Sequence, residues 1–104
     1  MILKRCSVNP GKVVAIFEIP STVWADRINL VGDFNNWDRD SLPLRQDRQE
    51  NWQVEIELEA GLEYRFRYLF DGAYWVYDWC ADKSLTDSGS GYDSIVIAEL
   101  QPAI

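Results

Sequence analysis

Apolar and polar residues alternate one by one through the middle of the chain. In Trp52–Glu59 every second residue is apolar, and the alternating polar residues are one Gln followed by three Glu. In Tyr64–Phe70 every second residue is aromatic, and Arg65 and Arg67 fall between them. Because successive side chains of a β-strand point to opposite faces, this period of two predicts two strands, each with one face in a core.

Shorter apolar segments recur along the rest of the chain and are separated by Gly, Pro, Asn and Asp. The predicted strands are Ile2–Val8, Lys12–Ile19, Arg27–Val31, a short strand near Leu44, Trp52–Glu59, Tyr64–Phe70, Tyr74–Tyr77 and Ser94–Ala98. None of the segments has the apolar spacing of a long amphipathic helix. Many short strands with turn residues between them are typical of a sandwich, so the sequence predicts an all-β antiparallel sandwich of about seven to eight strands.

The turn Ala60-Gly61 joins the two alternating strands, which we expect to lie side by side as a hairpin. If both apolar rows share a face, the loop contains an odd number of residues, about three or five. Glu55 or Glu57 of the first strand would then face one of the two arginines of the second strand. Such a cross-strand ion pair would account for Arg67 without any ligand.

The length and composition fit one folded domain spanning residues 1–104. Hydrophobic residues make up 47% and charged residues 26%, which are ordinary values for a globular protein. The net charge of −7 makes nucleic acid and anionic membranes unsuitable partners, whereas a neutral ligand such as a sugar meets no repulsion. The apolar runs are far shorter than a membrane span and the N-terminal residues do not resemble a secretory signal, so we expect a cytoplasmic protein.

The residue types present restrict the chemistry. Histidine is absent, which removes His-dependent nucleophilic triads and the common transition-metal sites. Asp33–Asp38 begins like a calcium loop, but Asp38 stands where such a loop has Gly, and Leu44 stands where it has Glu. We therefore expect no metal and no cofactor, and we expect Cys6 and Cys80 to be free thiols.

Three motifs, in the same order along the chain, carry a resemblance to a known family. They are Ile28–Asp38, Glu63–Gly72 followed by Trp75 and Asp78, and Asp93–Val96. With their flanking strands they span roughly residues 12 to 99. This pattern resembles the glycogen-binding, isoamylase N-terminal (early set) domains, which accompany starch and glycogen debranching and branching enzymes and the β subunit of AMP-activated protein kinase. The resemblance implies an immunoglobulin-like (early set) sandwich that binds linear α-1,4-linked glucan.

The resemblance also implies which residues bind the sugar. Trp37, after the Asn-Asn pair, and Trp75, after the Asp-Gly turn, match tryptophans that stack on neighbouring glucose rings, and Tyr74 is close enough to compete with Trp75. Arg67 matches a basic residue that bonds sugar hydroxyls. Asp93 stands where the family has an Asn, so it can accept hydrogen bonds but cannot donate them.

The residues leave several alternatives open. Trp37 could cover one end of the sandwich, and Asp93 could cap a turn. In the kinase-subunit members an apolar residue projects against the sugar at the position that Gly89 occupies here. Asp93 and Gly89 favour a second hypothesis, a protein-interaction module of the same fold that has lost sugar binding and packs in trans against a glucan-metabolising enzyme. Trp37, Trp75 and Arg67 together favour sugar.

The remaining assignments concern loops, tryptophans and catalysis. Gly32–Trp37 and Asp82–Tyr92 are rich in Gly, Asn, Asp and Ser and are expected to be the loops that frame a site. Trp52 is in phase with the core row, whereas Trp24 or Trp79 could plug an edge of the sandwich. A glycosidase needs two carboxylates opposite each other in a cleft, and the acids here fall mostly on solvent faces or loops, so we expect a non-catalytic protein.

Overall fold

The computed structural model describes residues 2–78, 82–87 and 91–100, with only the backbone described for residues 83–87 and 91–93. This part of the chain forms nine strands and one short 3₁₀-helix. In chain order these are β1 (Ile2–Cys6), β2 (Lys12–Ile19), β3 (Ile28–Gly32), the 3₁₀-helix (Asp33–Asn35), β4 (Arg45–Gln46), β5 (Trp52–Glu59), β6 (Glu63–Phe70), β7 (Tyr74–Val76), β8 (Lys83–Asp87) and β9 (Gly91–Ile97). Among these residues, no helix has the length and apolar character that crossing a membrane requires.

The strands form two antiparallel sheets. The first sheet has the strand order β1-β2-β5-β4. The second has the order β3-β6-β9-β8, and β7 pairs with β6 in addition. The predicted all-β, immunoglobulin-like antiparallel sandwich is confirmed.

The inner faces of the two sheets share one hydrophobic core. On β2 every second residue from Val13 to Ile19 is buried, and the residues between them are only half-buried. Phe17 of the first sheet meets Phe66 of the second edge to face, with ring centroids 5.0 Å apart. Trp52 is 7% exposed and belongs to this core, as its phase in the alternation predicted.

The two central strands do not form the predicted hairpin. β5 pairs with β2 in the first sheet, whereas β6 pairs with β3 in the second. The loop between them has three residues, Ala60–Leu62, but it crosses from one sheet to the other. Glu55 therefore accepts a 3.0 Å hydrogen bond from Arg5 of β1, and Arg67 lies opposite Val31 of β3.

The predicted Glu–Arg pairs across β5 and β6 are thus wrong. The physical reason is that alternation identifies only which face of each strand is buried. Two strands show the same alternation whether they are neighbours in one sheet or lie in opposite sheets of a sandwich.

The segment Asp82–Tyr92 is not wholly the predicted loop. It contains β8 (Lys83–Asp87), and β9 begins within it at Gly91. β8 is the last strand of its sheet, paired on one side only with β9. A strand at a sheet edge need not carry a regular apolar row, so the alternation does not reveal it.

Other expectations concern single residues. Trp24 is 92% exposed, so it does not plug an edge of the sandwich. Cys6, at the end of β1, is an exposed free thiol, as predicted. Trp79, Cys80 and Gly89 lie outside the described residues.

Candidate functional site

The loop that carries Trp37 begins after Gly32, where the backbone of β3 lies very close to β6. Gly32 is the last residue of β3, and a Cβ atom added there would lie 2.5 Å from the backbone oxygen of Arg65 and 2.9 Å from the Cβ of Phe66. Only glycine allows this contact without displacing the backbone of β6. Phe34 then anchors the loop to the core, with its ring centroid 6.0 Å from that of Phe17.

The amide group of Asn35 holds the loop in shape. Its Oδ1 accepts a 3.0 Å hydrogen bond from the backbone N–H of Gly32. Its Nδ2 donates to the backbone oxygen of Asp38 at 3.0 Å and to Oγ of Ser41 at 2.9 Å. One side chain therefore ties the start of the loop to its far end, because an amide both accepts and donates.

Asp33 orients the Trp37 indole. Its Oδ1 accepts a 3.0 Å hydrogen bond from Nε1 of Trp37, and its Oδ2 accepts a 2.9 Å bond from the backbone N–H of Arg65. The indole N–H is therefore occupied within the protein, and Trp37 can offer a ligand only the surface of its ring. The ring is 37% exposed and does not belong to the core, so Trp37 does not act as a buried cover over the sandwich.

The backbone at Trp37 is in a conformation that bulky residues seldom adopt. Asn36 has φ +56° and Trp37 has φ +58°, both in the left-handed region. The backbone N–H of Trp37 donates to the oxygen of Gly32 at 2.9 Å, which closes the turn. Strained residues of this kind persist where the surrounding structure holds them, and they concentrate at binding sites.

Trp75 and Tyr74 lie on the same strand but on opposite faces. Trp75 pairs with Leu69 of β6, on the face turned away from the core, and is 40% exposed. Tyr74 pairs with Phe70, whose side chain packs against the core, and is 67% exposed. The two aromatic rings therefore cannot both contribute to one flat surface.

Arg67 lies in β6 at the point where the strand paired along one edge changes from β9 to β7. Phe66, just before it, pairs with Ser94 of β9, and Tyr68, just after it, pairs with Val76 of β7. Arg67 is two residues from Leu69 on the same strand, so it shares the outer face with Trp75 and lies diagonally from it. The structure thus brings Arg67 and Trp75 together.

Asp93 lies in β9, and only its backbone is described. It precedes Ser94, the residue that pairs with Phe66, and its own partner is Leu85 of β8. The backbone of Asp93 therefore lies in a strand and not in a turn, one residue beyond the point where the pairing of β9 with β6 ends. β9 extends three residues further towards the N-terminus than the alternation predicted, because its first residues pair with β8.

A buried hydrogen-bond network supports the junction of β6, β7 and β9. Tyr68 donates its hydroxyl proton to Oδ2 of Asp78 at 2.7 Å, and the backbone N–H of Asp78 donates to Oγ of Ser94 at 2.7 Å. All three residues are at most 6% exposed. Asp78, which the sequence offered only as part of a motif, therefore fixes the strands on which Arg67 and Trp75 lie.

The structure adds a residue that the sequence did not indicate. The guanidinium carbon of Arg39 lies over the Trp75 ring, 5.3 Å from the ring centroid, in the arrangement of a cation–π contact. Arg39 follows Trp37 by two residues, so the same loop carries Trp37 and reaches Trp75. The signal in the sequence would have been a cation next to the first tryptophan, but nothing along the chain says which aromatic ring it meets.

In the loop Asp33–Asp38, whose sequence begins like a calcium site, side-chain oxygens accept hydrogen bonds from the protein. Both carboxylate oxygens of Asp33 and the amide oxygen of Asn35 accept hydrogen bonds from the protein. Among the residues that the structure describes, no three His, Cys, Asp or Glu side chains are grouped so that they could hold a metal ion.

Comparisons with known proteins bear on this arrangement. The family model of carbohydrate-binding module 48 (isoamylase N-terminal domain) matches residues 21–87, which include Trp37, Arg67 and Trp75. The 1,4-alpha-glucan branching enzyme GlgB of Aquifex aeolicus (strain VF5) is 38% identical over 58 residues, which make up 50% of this chain and 9% of the enzyme. The chain thus matches only a small part of that enzyme's length.

Proposed function

This chain belongs to the carbohydrate-binding module 48 (isoamylase N-terminal domain) family, and we propose that it binds α-glucan chains of the glycogen or starch type without cleaving them. In this proposal Trp37 and Trp75 stack on glucose rings of one chain, and Arg67 orients the sugar through its hydroxyl groups. Asp93 accepts a hydrogen bond from the same ligand.

The observation that supports the proposal most is the exposure of the two indoles. Trp37 is 37% and Trp75 is 40% exposed, and Trp37 is oriented by its hydrogen bond to Asp33. The loop that begins at Asp33 carries Trp37 and also reaches Trp75 through Arg39. Flat aromatic rings that stay exposed at this level suit the flat C–H faces of glucose rings.

Simple energetics place the interaction in the weak range. Each glucose ring would remove about 100 Å² of apolar surface from water, which stabilises the complex by roughly 2.5 kcal/mol at about 25 cal/mol per Å². Two rings give roughly 5 kcal/mol, and the entropy of association offsets part of this. Hydrogen bonds to sugar replace bonds to water and add little. We expect dissociation constants from about tens of micromolar to about millimolar.

The choice of an α-1,4-linked glucan rests on two supports of different kinds. The relative named above is a 1,4-alpha-glucan branching enzyme by its name. The net charge of −7 also suits a neutral polymer better than an anionic one.

Titration with maltoheptaose tests the proposal. The indole N–H of each tryptophan gives one cross-peak in a ¹H–¹⁵N spectrum, so the five tryptophans can be followed separately. We expect the Trp37 and Trp75 cross-peaks to shift. Trp24, at 92% exposed, serves as an internal control for non-specific stacking and should not shift. A folded protein whose spectrum does not change at several millimolar maltoheptaose would contradict the proposal.

Substitutions separate binding from folding. Trp37→Ala and Trp75→Ala should each weaken binding about tenfold or more. Tyr74→Ala should leave affinity unchanged, because Tyr74 lies on the opposite face of β7 from Trp75. Trp52→Ala should instead lower the free energy of unfolding by about 3–5 kcal/mol, since it removes a core side chain.

A protein-interaction module is the second candidate. The observation that favours it is Trp24, a large apolar side chain that is 92% exposed on the loop between β2 and β3. Under this alternative the chain packs in trans against a glucan-metabolising enzyme. It would then bind that enzyme in a pull-down, Trp24→Ser would abolish the interaction, and maltoheptaose would cause no shift.

A further inference from the structure

Arg39 covers one face of the Trp75 ring. Its guanidinium carbon is 5.3 Å from the ring centroid, over the ring. Leu69, the strand partner of Trp75 on the same outer face, is only 3% exposed. Trp75 itself remains 40% exposed, so its indole lies between the buried Leu69 position and water, and Arg39 approaches its ring from the loop.

A guanidinium group and a glucose ring cannot stack on the same face of one indole at the same time. Both groups are attracted to the aromatic face, the cation by the ring quadrupole and the sugar by apolar contact. Stacked groups lie within a few ångströms of the ring, so the guanidinium group and the glucose ring exclude each other from this face. The contact between Arg39 and Trp75 has to open before a sugar can stack on the face of the ring that Arg39 covers.

We propose that Arg39 is an autoinhibitory side chain that covers Trp75 in the free protein and is displaced by the glucan. This inference rests on the function proposed above and extends it to a residue outside the five that the sequence indicated. The position of Arg39 supports displacement, because the residue is exposed at a bend of the chain and its side chain can turn into water.

The expected effect is small and has a defined sign. An exposed cation–π contact favours the covered state about two- to fivefold over the open state. The observed dissociation constant is the intrinsic one divided by the fraction of protein in the open state. Removing the Arg39 side chain should therefore tighten glucan binding about three- to sixfold.

The test compares Arg39→Ala with the wild-type protein in maltoheptaose titrations followed at the Trp75 indole cross-peak. Arg48→Ala, which removes an exposed arginine from the turn between β4 and β5, is the matched control and should bind as the wild type does. In the free wild-type protein the side-chain protons of Arg39 should show an upfield shift from the Trp75 ring. That shift should disappear in Trp75→Leu, and it should disappear in the wild type as sugar saturates Trp75.

The outcomes separate this inference from the function on which it rests. Tighter binding by Arg39→Ala together with sugar-dependent loss of the ring shift supports the inference. Unchanged or weaker binding by Arg39→Ala overturns it and leaves glucan binding standing, and weaker binding would mean that Arg39 contacts the sugar. If neither protein binds maltoheptaose, both the glucan proposal and the role of Arg39 are rejected.

Discussion

At the scale of single residues, Asp33 orients the Trp37 side chain of the proposed binding surface. Its two carboxylate oxygens accept hydrogen bonds from the Trp37 indole and from the backbone of Arg65. The indole is thereby fixed relative to β6, the strand that carries Arg67. Under the proposed function a ring held in place before the sugar arrives loses less entropy on binding, so we expect Asp33 to contribute to affinity through Trp37.

Asp33→Asn should impair this positioning. An amide has one accepting oxygen, so it cannot accept from both the indole and the Arg65 N–H. We expect the Trp37 indole proton to move upfield as its hydrogen bond weakens, and maltoheptaose binding to weaken about fivefold, the equivalent of a hydrogen bond of about 1 kcal/mol. Asp40→Asn, in the same loop, is the control and should change neither. An unmoved indole resonance in Asp33→Asn would contradict the role assigned to Asp33.

At the scale of elements, a carboxylate of β5 holds the turn between β1 and β2. Glu57 accepts hydrogen bonds of 2.8 Å from Nδ2 of Asn9 and from Oγ of Ser7. The bond from Asn9, and then that from Ser7, hold the pKa of the exposed Glu57 below its ordinary value, although a smaller effect of desolvation acts in the opposite direction. The charged form of Glu57 thus favours the folded state.

The lowered pKa predicts the sign of a pH effect. The stabilisation from Glu57 is fully present above the pKa of the unfolded chain, and it is lost as the pH falls through the lower pKa of the folded state. Urea unfolding of the wild type and of Glu57→Gln at about pH 7 and about pH 3 measures this effect. We expect a smaller loss of stability on acidification in the variant, and equal losses in the two proteins would refute the prediction.

At the scale of the whole molecule, an ion pair joins the two sheets at one side of the sandwich. Lys4 of β1 lies 2.6 Å from Oδ2 of Asp82, and the side chains are 7% and 22% exposed. The same oxygen accepts a 2.7 Å hydrogen bond from the backbone N–H of Ile97 in β9. Asp82 therefore links β1 of the first sheet to β9 of the second, where no strand pairing connects them.

Lys4→Met should leave the Asp82 carboxylate without its cation. The loss should be about 2 kcal/mol, between the ~0–1 kcal/mol of a surface pair and the ~3–5 kcal/mol of a fully buried one. The midpoint of urea unfolding measures it. Arg5→Met is the control, since its bond to Glu55 joins groups that are 56% and 54% exposed and should matter little. A similar loss in both variants would show that the Lys4–Asp82 pair has no special role.

Residue types and their order are sufficient to establish the fold class, the buried faces of most strands, Trp52 as a core residue and the motifs of the family. These features depend on period-two alternation and on local turn chemistry, which are both readable along the chain. Alternation and turn chemistry did not predict which strands pair with each other. β5 and β6 are joined by three residues yet lie in opposite sheets, because the alternation is the same whether the facing row belongs to a neighbour or to the other sheet.

The arrangement of the site likewise depends on contacts between distant parts of the chain. Arg67 meets Trp75 because β9 and β7 follow each other along one edge of β6, and Trp75 and Tyr74 are separated by the alternation of β7. Arg39 reaches Trp75 across 36 positions of sequence only when the loop after β3 folds over the outer face of the second sheet. Such a contact has no local signature, because its free energy comes from surfaces that packing alone brings together.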